Sequence, residues 1–311
     1  MFKHFNEWLC KTNFSFLHGA SHPRDLIERA SRLEYQSLCI NDFDGAYGLA
    51  RCYRELDYLK QQQGSSLKLN YGAELHLQCD HDLPLLLQDT LVLVAQDQLG
   101  YTNLNRLLSH AHRQGKDYAN VPLEKLLNSE VDGLIAIQPM RGLVRSQKGF
   151  NRHAELKQLF DGKYSLAISR HLHPAEDRWI KHGLRIARQL GLEYILSQDA
   201  FFHDRQQKCV SDLLQAIRSN RQFDACREHF FPNAERCLHR SEELQRLFAP
   251  IPGVRKALDL SRELNRSCQF SLEQLGYHYP KEMIPPGHDA QSYLKLLVMR
   301  GACLLYTSDA A

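Results

Sequence analysis

The stretch SLCINDFDGAYG, residues 37–48, decides the fold. Its opening SLCI is short, apolar and rich in strand-forming residues, which predicts a buried strand. Asp42, Phe43 and Asp44 follow where that strand ends. A carboxylate at the C-terminal end of a strand is where α/β enzymes carry metals and catalytic groups. Phe43 beside it has no donor atom for an ion. The stretch reads two ways, as a metal site or as the remains of one.

Working outward, short apolar strands alternate with helices over most of the first 200 residues. Residues 7–12, EWLCKT, predict the first strand. SHPRDLIERASRL (21–33) predicts a helix with Ser21 as its cap and Leu26, Ile27, Ala30 and Leu33 as an apolar stripe. A helix over 45–62 follows, then strands KLNYGAELHL (68–77) and TLVLVAQ (90–96), and a helix over 101–115 ended by Gly115. GLIAIQ (133–138), YSLAIS (164–169) and EYILS (193–197) are further strands, the last two separated by the amphipathic helix 175–191. Strands alternating with helices imply parallel pairing, and this many repeats favour a barrel over an open sheet, which the pattern leaves open.

The character changes near residue 205: 205–220, 241–249 and 253–268 are helical, without a convincing strand among them. A Pro-rich connector, YHYPKEMIPPG (277–287), leads into DAQSYLKLLVMRGA (289–302). The expected organisation is a barrel over 1–204, a helical extension over 205–276, and a linker with the start of a further module over 277–302. The tail CLLYTSDAA (303–311) fits neither a helix continuation nor a designed stop, and is expected to be non-native sequence after an interruption of the chain.

Composition narrows the class. With 43% hydrophobic and 24% charged residues over 311 positions the chain is an ordinary globular one, and +3 is too small a net charge to mark a nucleic-acid binder. No apolar run approaches the roughly 20 residues that span a bilayer, and MFKHFNEWLC is no secretory signal. Nine cysteines without a CxxC pair point to reduced thiols and a cytoplasmic location.

In a parallel barrel the strand ends face one mouth. Reading those ends gives Leu9 and Lys11, then Asp42, then Glu74, then RHLH (170–173), then Asp199 and His203. Asp, Glu and His converging from separate strands can hold hydrolytic metal ions, given several ligands and an open position for water. His171 and His173, two apart, point to one side if their segment is extended. The bland readings stand beside this: a strand-end Asp is commonly a cap or turn residue, and Glu74 can simply pair with a neighbouring Arg or Lys. His110 and His112 fall on different helix faces. No Gly-rich phosphate loop, nucleophile elbow or HExxH is present.

Taken together, residues 12–56, 91–113 and 231–248 resemble the N-terminal part of bacterial C-family DNA polymerases, the polymerase III α-subunit group. NFSFLHGASHP (13–23) and residues 277–302 are closer to its error-prone, damage-tolerant branch. The resemblance implies a distorted (β/α) barrel of PHP (polymerase and histidinol phosphatase) type with a metal centre at the strand ends. A small helical segment then leads toward a polymerase palm outside this chain. In metal-binding members the first strand ends in His-x-His, the second in Asp-His, a Glu follows on the third, and Asp-x-His comes late. Here those positions fall on Leu9 and Lys11, on Asp42 and Phe43, on Glu74, and on Asp199 and Phe201. A further family histidine falls on Thr90. Asp42, Glu74 and Asp199 are thus residual site positions, with His171 and His203 of uncertain register. Leu9, Phe43 and Phe201 supply no donor atoms. Lys11 places an ammonium where a cation once sat, able to pair with Asp42, Glu74 or Asp199 and foremost with Asp42.

What the resemblance implies is therefore the N-terminal portion of an error-prone DNA polymerase acting in translesion synthesis and repair, its PHP barrel a metal-free scaffold without cofactor. The parent's Mg²⁺ would belong to the absent palm, and its partners would be DNA primer-template, accessory mutagenesis proteins and a sliding clamp, with no membrane. The basic run RGLVRSQKGFNRH (141–153) is set either near phosphates or in a solvated loop. The alternative is an active metal-dependent phosphoesterase or 3′→5′ exonuclease using the acidic residues with His171 and His203.

Overall fold

Seven strands form one sheet in sequence order: β1 (Asn6–Cys10), β2 (Ser37–Ile40), β3 (Lys68–His76), β4 (Thr90–Ala95), β5 (Leu134–Pro139), β6 (Tyr164–Ile168) and β7 (Glu193–Leu196). This is a computed structural model, and it describes residues 2–77, 88–113, 119–143, 149–276 and 283–308. Pairing is parallel from β1 to β3 and from β5 to β7. It is antiparallel on both sides of β4, which corrects the expectation of parallel pairing throughout. The register sets the start of β4 against the end of β3, with Thr90 opposite His76, and Leu77 N extends the ladder to Asp89 O at 2.9 Å, so β4 runs back along β3.

The sheet curls until its edges meet. Cys10 bridges Ala200 in parallel, with Lys11 N to Ala200 O at 2.9 Å and Ala200 N to Leu9 O at 2.7 Å. The result is the expected distorted α/β barrel, closed by the segment after β7. Strand alternation sorts its side chains. Cys39, Val92, Val94, Ile135, Ile137, Ala167 and Ile195 fill the interior. Their neighbours Leu38, Ile40, Leu91, Leu93, Ala136, Leu166 and Ile168 face outward into the larger core beneath the helices.

The helices are α1 (Pro23–Arg32), α2 (Leu49–Gln63), α3 (Gln98–Arg113), α4 (Leu123–Leu127), α5 (Met140–Leu143), α6 (Gly149–Leu159), α7 (Glu176–Leu190), α8 (Lys208–Ser219), α9 (Ser241–Phe248), α10 (Val254–Ser267) and α11 (Ala290–Ser308). On α1 the stripe Leu26, Ile27 and Ala30 is buried, with Leu33 half-buried behind it. Its cap is His22, not Ser21, whose hydroxyl is taken by the backbone N–H and Nδ1 of His203, both at 2.8 Å. The predicted stop at Gly115 lies outside the described residues. From α10, Ser261 accepts the Trp8 indole N–H at 2.7 Å and Asn265 accepts from Asn70 at 2.9 Å. The helix thereby covers the barrel end at which the strands begin.

Residues Met1–Gln274 form one compact unit and Leu275–Ala311 a second. In the second, α11 runs on through Cys303 to Ser308, which corrects the expectation that helix cannot continue past residue 302. No Pro follows Gly301, and Leu304 and Leu305 are good helix formers. Among the described residues no helix is long and apolar enough to cross a membrane.

Candidate functional site at the barrel mouth

Leu69, Tyr71, Ala73 and Leu75 of β3 belong to the outer core, so Glu74 between them faces the interior. Its carboxylate is completely buried. Lys11 Nζ lies 2.6 Å from Oε2, while the Arg141 guanidinium and the Thr90 hydroxyl both donate to Oε1. Arg141 also reaches Asp199 Oδ1, and Arg236 Nη1 meets Asp199 Oδ2 at 2.5 Å. Lys11 donates further to Asn41 Oδ1 at 2.5 Å, and Asn41 Nδ2 donates to Trp8 O at 2.6 Å. A buried chain of charge results, Lys11–Glu74–Arg141–Asp199–Arg236, drawn from five separate segments.

Two aromatic rings lie against it. The Phe43 centroid is 5.0 Å from Lys11 Nζ and 5.9 Å from Arg141 Cζ. Phe201 lies 5.7 Å from both Arg141 and Arg236. Phe43, without a ligand atom, thus offers its ring face to two cations. Phe43 and Phe201 pack with Ala20, Phe202, Phe231 and Cys237 into an apolar layer over the charges.

The electrostatics follow from this packing. Burial works to raise the Glu74 carboxyl, and the charges of Arg141 and Lys11 outweigh it, leaving its pKa lowered. Asp199 behaves likewise: Arg141 and Arg236 overcome burial and hold it well below the usual range. Burial also opposes the charge on Arg141, and Asp199 and Glu74 reverse that, so its pKa is raised. Both carboxylates are paired with protein cations, which favour their charged form.

Asp42 departs from expectation. Its partners are Thr12 N (2.8 Å), Thr12 Oγ1 (2.8 Å) and Ser15 Oγ (2.7 Å), while Lys11 turns to Glu74 and Asn41. The expected Asp42–Lys11 pair is therefore not made. Asp42 buttresses the loop after β1, and burial raises its carboxyl despite the Ser15 and Thr12 hydrogen bonds. A Cβ on Gly48 would lie 2.4 Å from Asp42 Oδ2, so the glycine ending the opening stretch is needed for this contact. Asp44, at φ 50°, accepts from His76 N at 3.0 Å and pairs with His76 Nδ1 at 2.5 Å.

The histidines do not join the cluster. Leu172 is left-handed (φ 57°), so His171 and His173 do not share one side. His171 bonds Glu176 Oε1 at 3.2 Å and Gln198 O at 2.6 Å, whereas His173 stacks on Trp179 at 4.6 Å. His203 bonds Ser21. Leu9 is core, its N–H donating to Glu7 Oε1 at 2.9 Å. Thr90, expected only as a lost ligand, is a hydrogen-bond donor to Glu74. In the basic run, Arg141 is buried at the mouth and Arg152 pairs with Asp89, so neither sits in a solvated loop or is available for phosphate.

Sequence reasoning missed Arg141 and Arg236. Arg141 follows β5 by two residues, a strand-end position that can carry a cation as readily as a ligand. Arg236 lies 37 positions from Asp199 and no spacing rule connects them.

The residues at the mouth do not fit a metal centre. Among the described residues no three His, Cys, Asp or Glu side chains are grouped to hold an ion. The two interior carboxylates face three protein cations instead. A divalent ion there needs those cations displaced, which would leave buried guanidinium groups unpaired.

Fold and mouth define the class: an α/β barrel with its strand ends tied by internal ion pairs. The chain belongs to the PHP domain family, whose model matches residues 9–188. It is also similar to proteins named error-prone DNA polymerase. That of Pseudomonas fluorescens Pf-5 is 32% identical over 297 residues, 96% of this chain and 26% of the relative. That of Anaeromyxobacter dehalogenans 2CP-1 is 33% identical over 293 residues, 91% of this chain and 24% of the relative. The chain spans about a quarter of the length of the curated relatives it matches. Among solved structures, an amidohydrolase from Chromobacterium violaceum aligns with a TM-score of 0.43 at 12% identity, over 63% of this chain and 87% of that one. A likeness this remote carries no argument about the site.

Proposed function

We propose that this chain is the PHP module of an error-prone DNA polymerase and that the module is a metal-free scaffold. The observation that carries the reading is the buried chain of ion pairs, in which Lys11, Arg141 and Arg236 neutralise the two interior carboxylates. Similarity to error-prone polymerases over more than nine-tenths of the chain supports the parent enzyme. On this reading primer extension across damaged template, in the cytoplasm, is the work of the parent. Its Mg²⁺ is held by carboxylates of a palm outside these residues. Primer-template DNA, accessory mutagenesis proteins and a sliding clamp are its partners.

The test is hydrolysis of p-nitrophenyl phosphate and of a 3′-labelled single strand by the 311-residue chain in Mn²⁺, beside Asp199→Ala. Neither substrate is expected to turn over. Turnover abolished by Asp199→Ala establishes the phosphoesterase or exonuclease reading instead.

A further inference from the structure

Apart from the ion-paired residues of the mouth, a concavity of about 440 Å³ is lined by Arg29, Arg205, Arg240, Glu242, Glu243 and Arg246. The arginines come from α1, from the segment after β7 and from the start and body of α9, so folding brings together four like charges from three separate parts of the chain. Convergence of this kind is unfavourable unless anions offset it. Only part of it is offset. Arg205 is held by Glu235 at 2.9 Å and by Glu243 at 2.7 Å, and Glu243 is thereby used. Arg29, Arg240 and Arg246 are in no ion pair among the described residues, and Glu242 is the one lining carboxylate left to face three guanidinium groups. The Nε of Arg29 is buried and has no hydrogen-bond partner among the described residues, a donor without its acceptor. The Arg205–Glu235–Glu243 bridge fixes one wall, and Arg240 and Arg246 are exposed and able to close on an occupant.

The geometry points to a binding pocket for a phosphate ester or pyrophosphate group, held by Arg29, Arg240 and Arg246 against the wall made by Arg205. Guanidinium groups match phosphate oxygens through paired N–H donors, and such charge-assisted bonds are the strong ones. An isolated carboxylate would neutralise one arginine and leave the others, whereas a phosphate group presents several acceptor oxygens to all three. The same chemistry is carried by a free anion and by the backbone of a nucleic acid. The pocket shares no residue with the ion-paired mouth, so it stands or falls independently of the scaffold reading.

Two probes separate the sources: inorganic pyrophosphate by calorimetry, and a 5′-fluorescein single-stranded oligonucleotide by anisotropy, both with the full 311-residue chain at low salt. Binding of pyrophosphate supports a free-anion site, and binding of the oligonucleotide alone supports a backbone contact. In either case the Arg240→Glu/Arg246→Glu pair weakens binding by at least about tenfold, and Arg240→Gln/Arg246→Gln weakens it in the same direction. The pair Arg178→Glu/Arg185→Glu on α7 makes the same change in net charge and is expected to leave binding near wild type. Absence of binding for both probes overturns the pocket, as does an equal loss in the α7 pair.

Discussion

Arg141 is the residue on which the mouth turns. Its guanidinium binds Glu74 with one nitrogen and Asp199 with the other, and all three side chains are at least nine-tenths buried. Removing one member of such a set strands the others in a low-dielectric interior, which costs about 3–5 kcal/mol. Arg141→Met should therefore lower stability by that amount in urea unfolding. Arg24→Ala, at the exposed Arg24–Glu28 pair, should leave the midpoint nearly unchanged. Equal small effects for the two would show that the buried pairs are not what holds the strand ends. Phe43 acts at the same place: its ring, which has no donor atom for an ion, lies against the Lys11 ammonium and the Arg141 guanidinium.

At the scale of elements, the barrel is closed by one short contact and one carboxylate. The β1 edge meets the segment after β7 at Cys10 and Ala200, and Glu7 of β1 reinforces the join by accepting from Ser197 Oγ, Gln198 N and Gln198 Nε2. Burial pushes the Glu7 carboxyl up to about 7 from an ordinary 4.5, against the hydrogen bonds from Ser197, Gln198 and Leu9. A carboxyl with a raised folded-state pKa contributes stability that is full below the unfolded value and is lost as pH rises through the folded one. Stability should thus fall between about pH 4.5 and 7, and Glu7→Gln should flatten that slope in thermal melts. A slope unchanged by Glu7→Gln would assign it to another group. Asp199 and Glu74 act in the opposite sense: with lowered folded-state values, their contribution is present above the unfolded carboxylate range and lost in acid.

For the whole molecule, the succession of strands along the chain and the strand-end positions of Asp42, Glu74 and Asp199 were legible because they rest on local periodicity and on the rule that strand ends share a mouth. The antiparallel β4 was not, since nothing in TLVLVAQ encodes direction. Nor were the partners of the carboxylates. Asp42 is satisfied by the hydroxyls of Thr12 and Ser15, residues any loop can carry. Arg236 meets Asp199 only through the path of the chain after β7. That Leu9, Phe43 and Phe201 carry no donor atom for an ion could be read in the sequence; the connected set of cations that pairs Glu74 and Asp199 needed the fold. Metal retention tests the proposed metal-free mouth most directly. The 311-residue chain is equilibrated with Zn²⁺ or Mn²⁺, desalted and measured by elemental analysis, with thermal melts before and after EDTA. Background metal and a melting temperature unmoved by EDTA are expected. Stoichiometric metal retained on the chain, with a melting temperature that falls when EDTA removes it, would contradict a metal-free mouth.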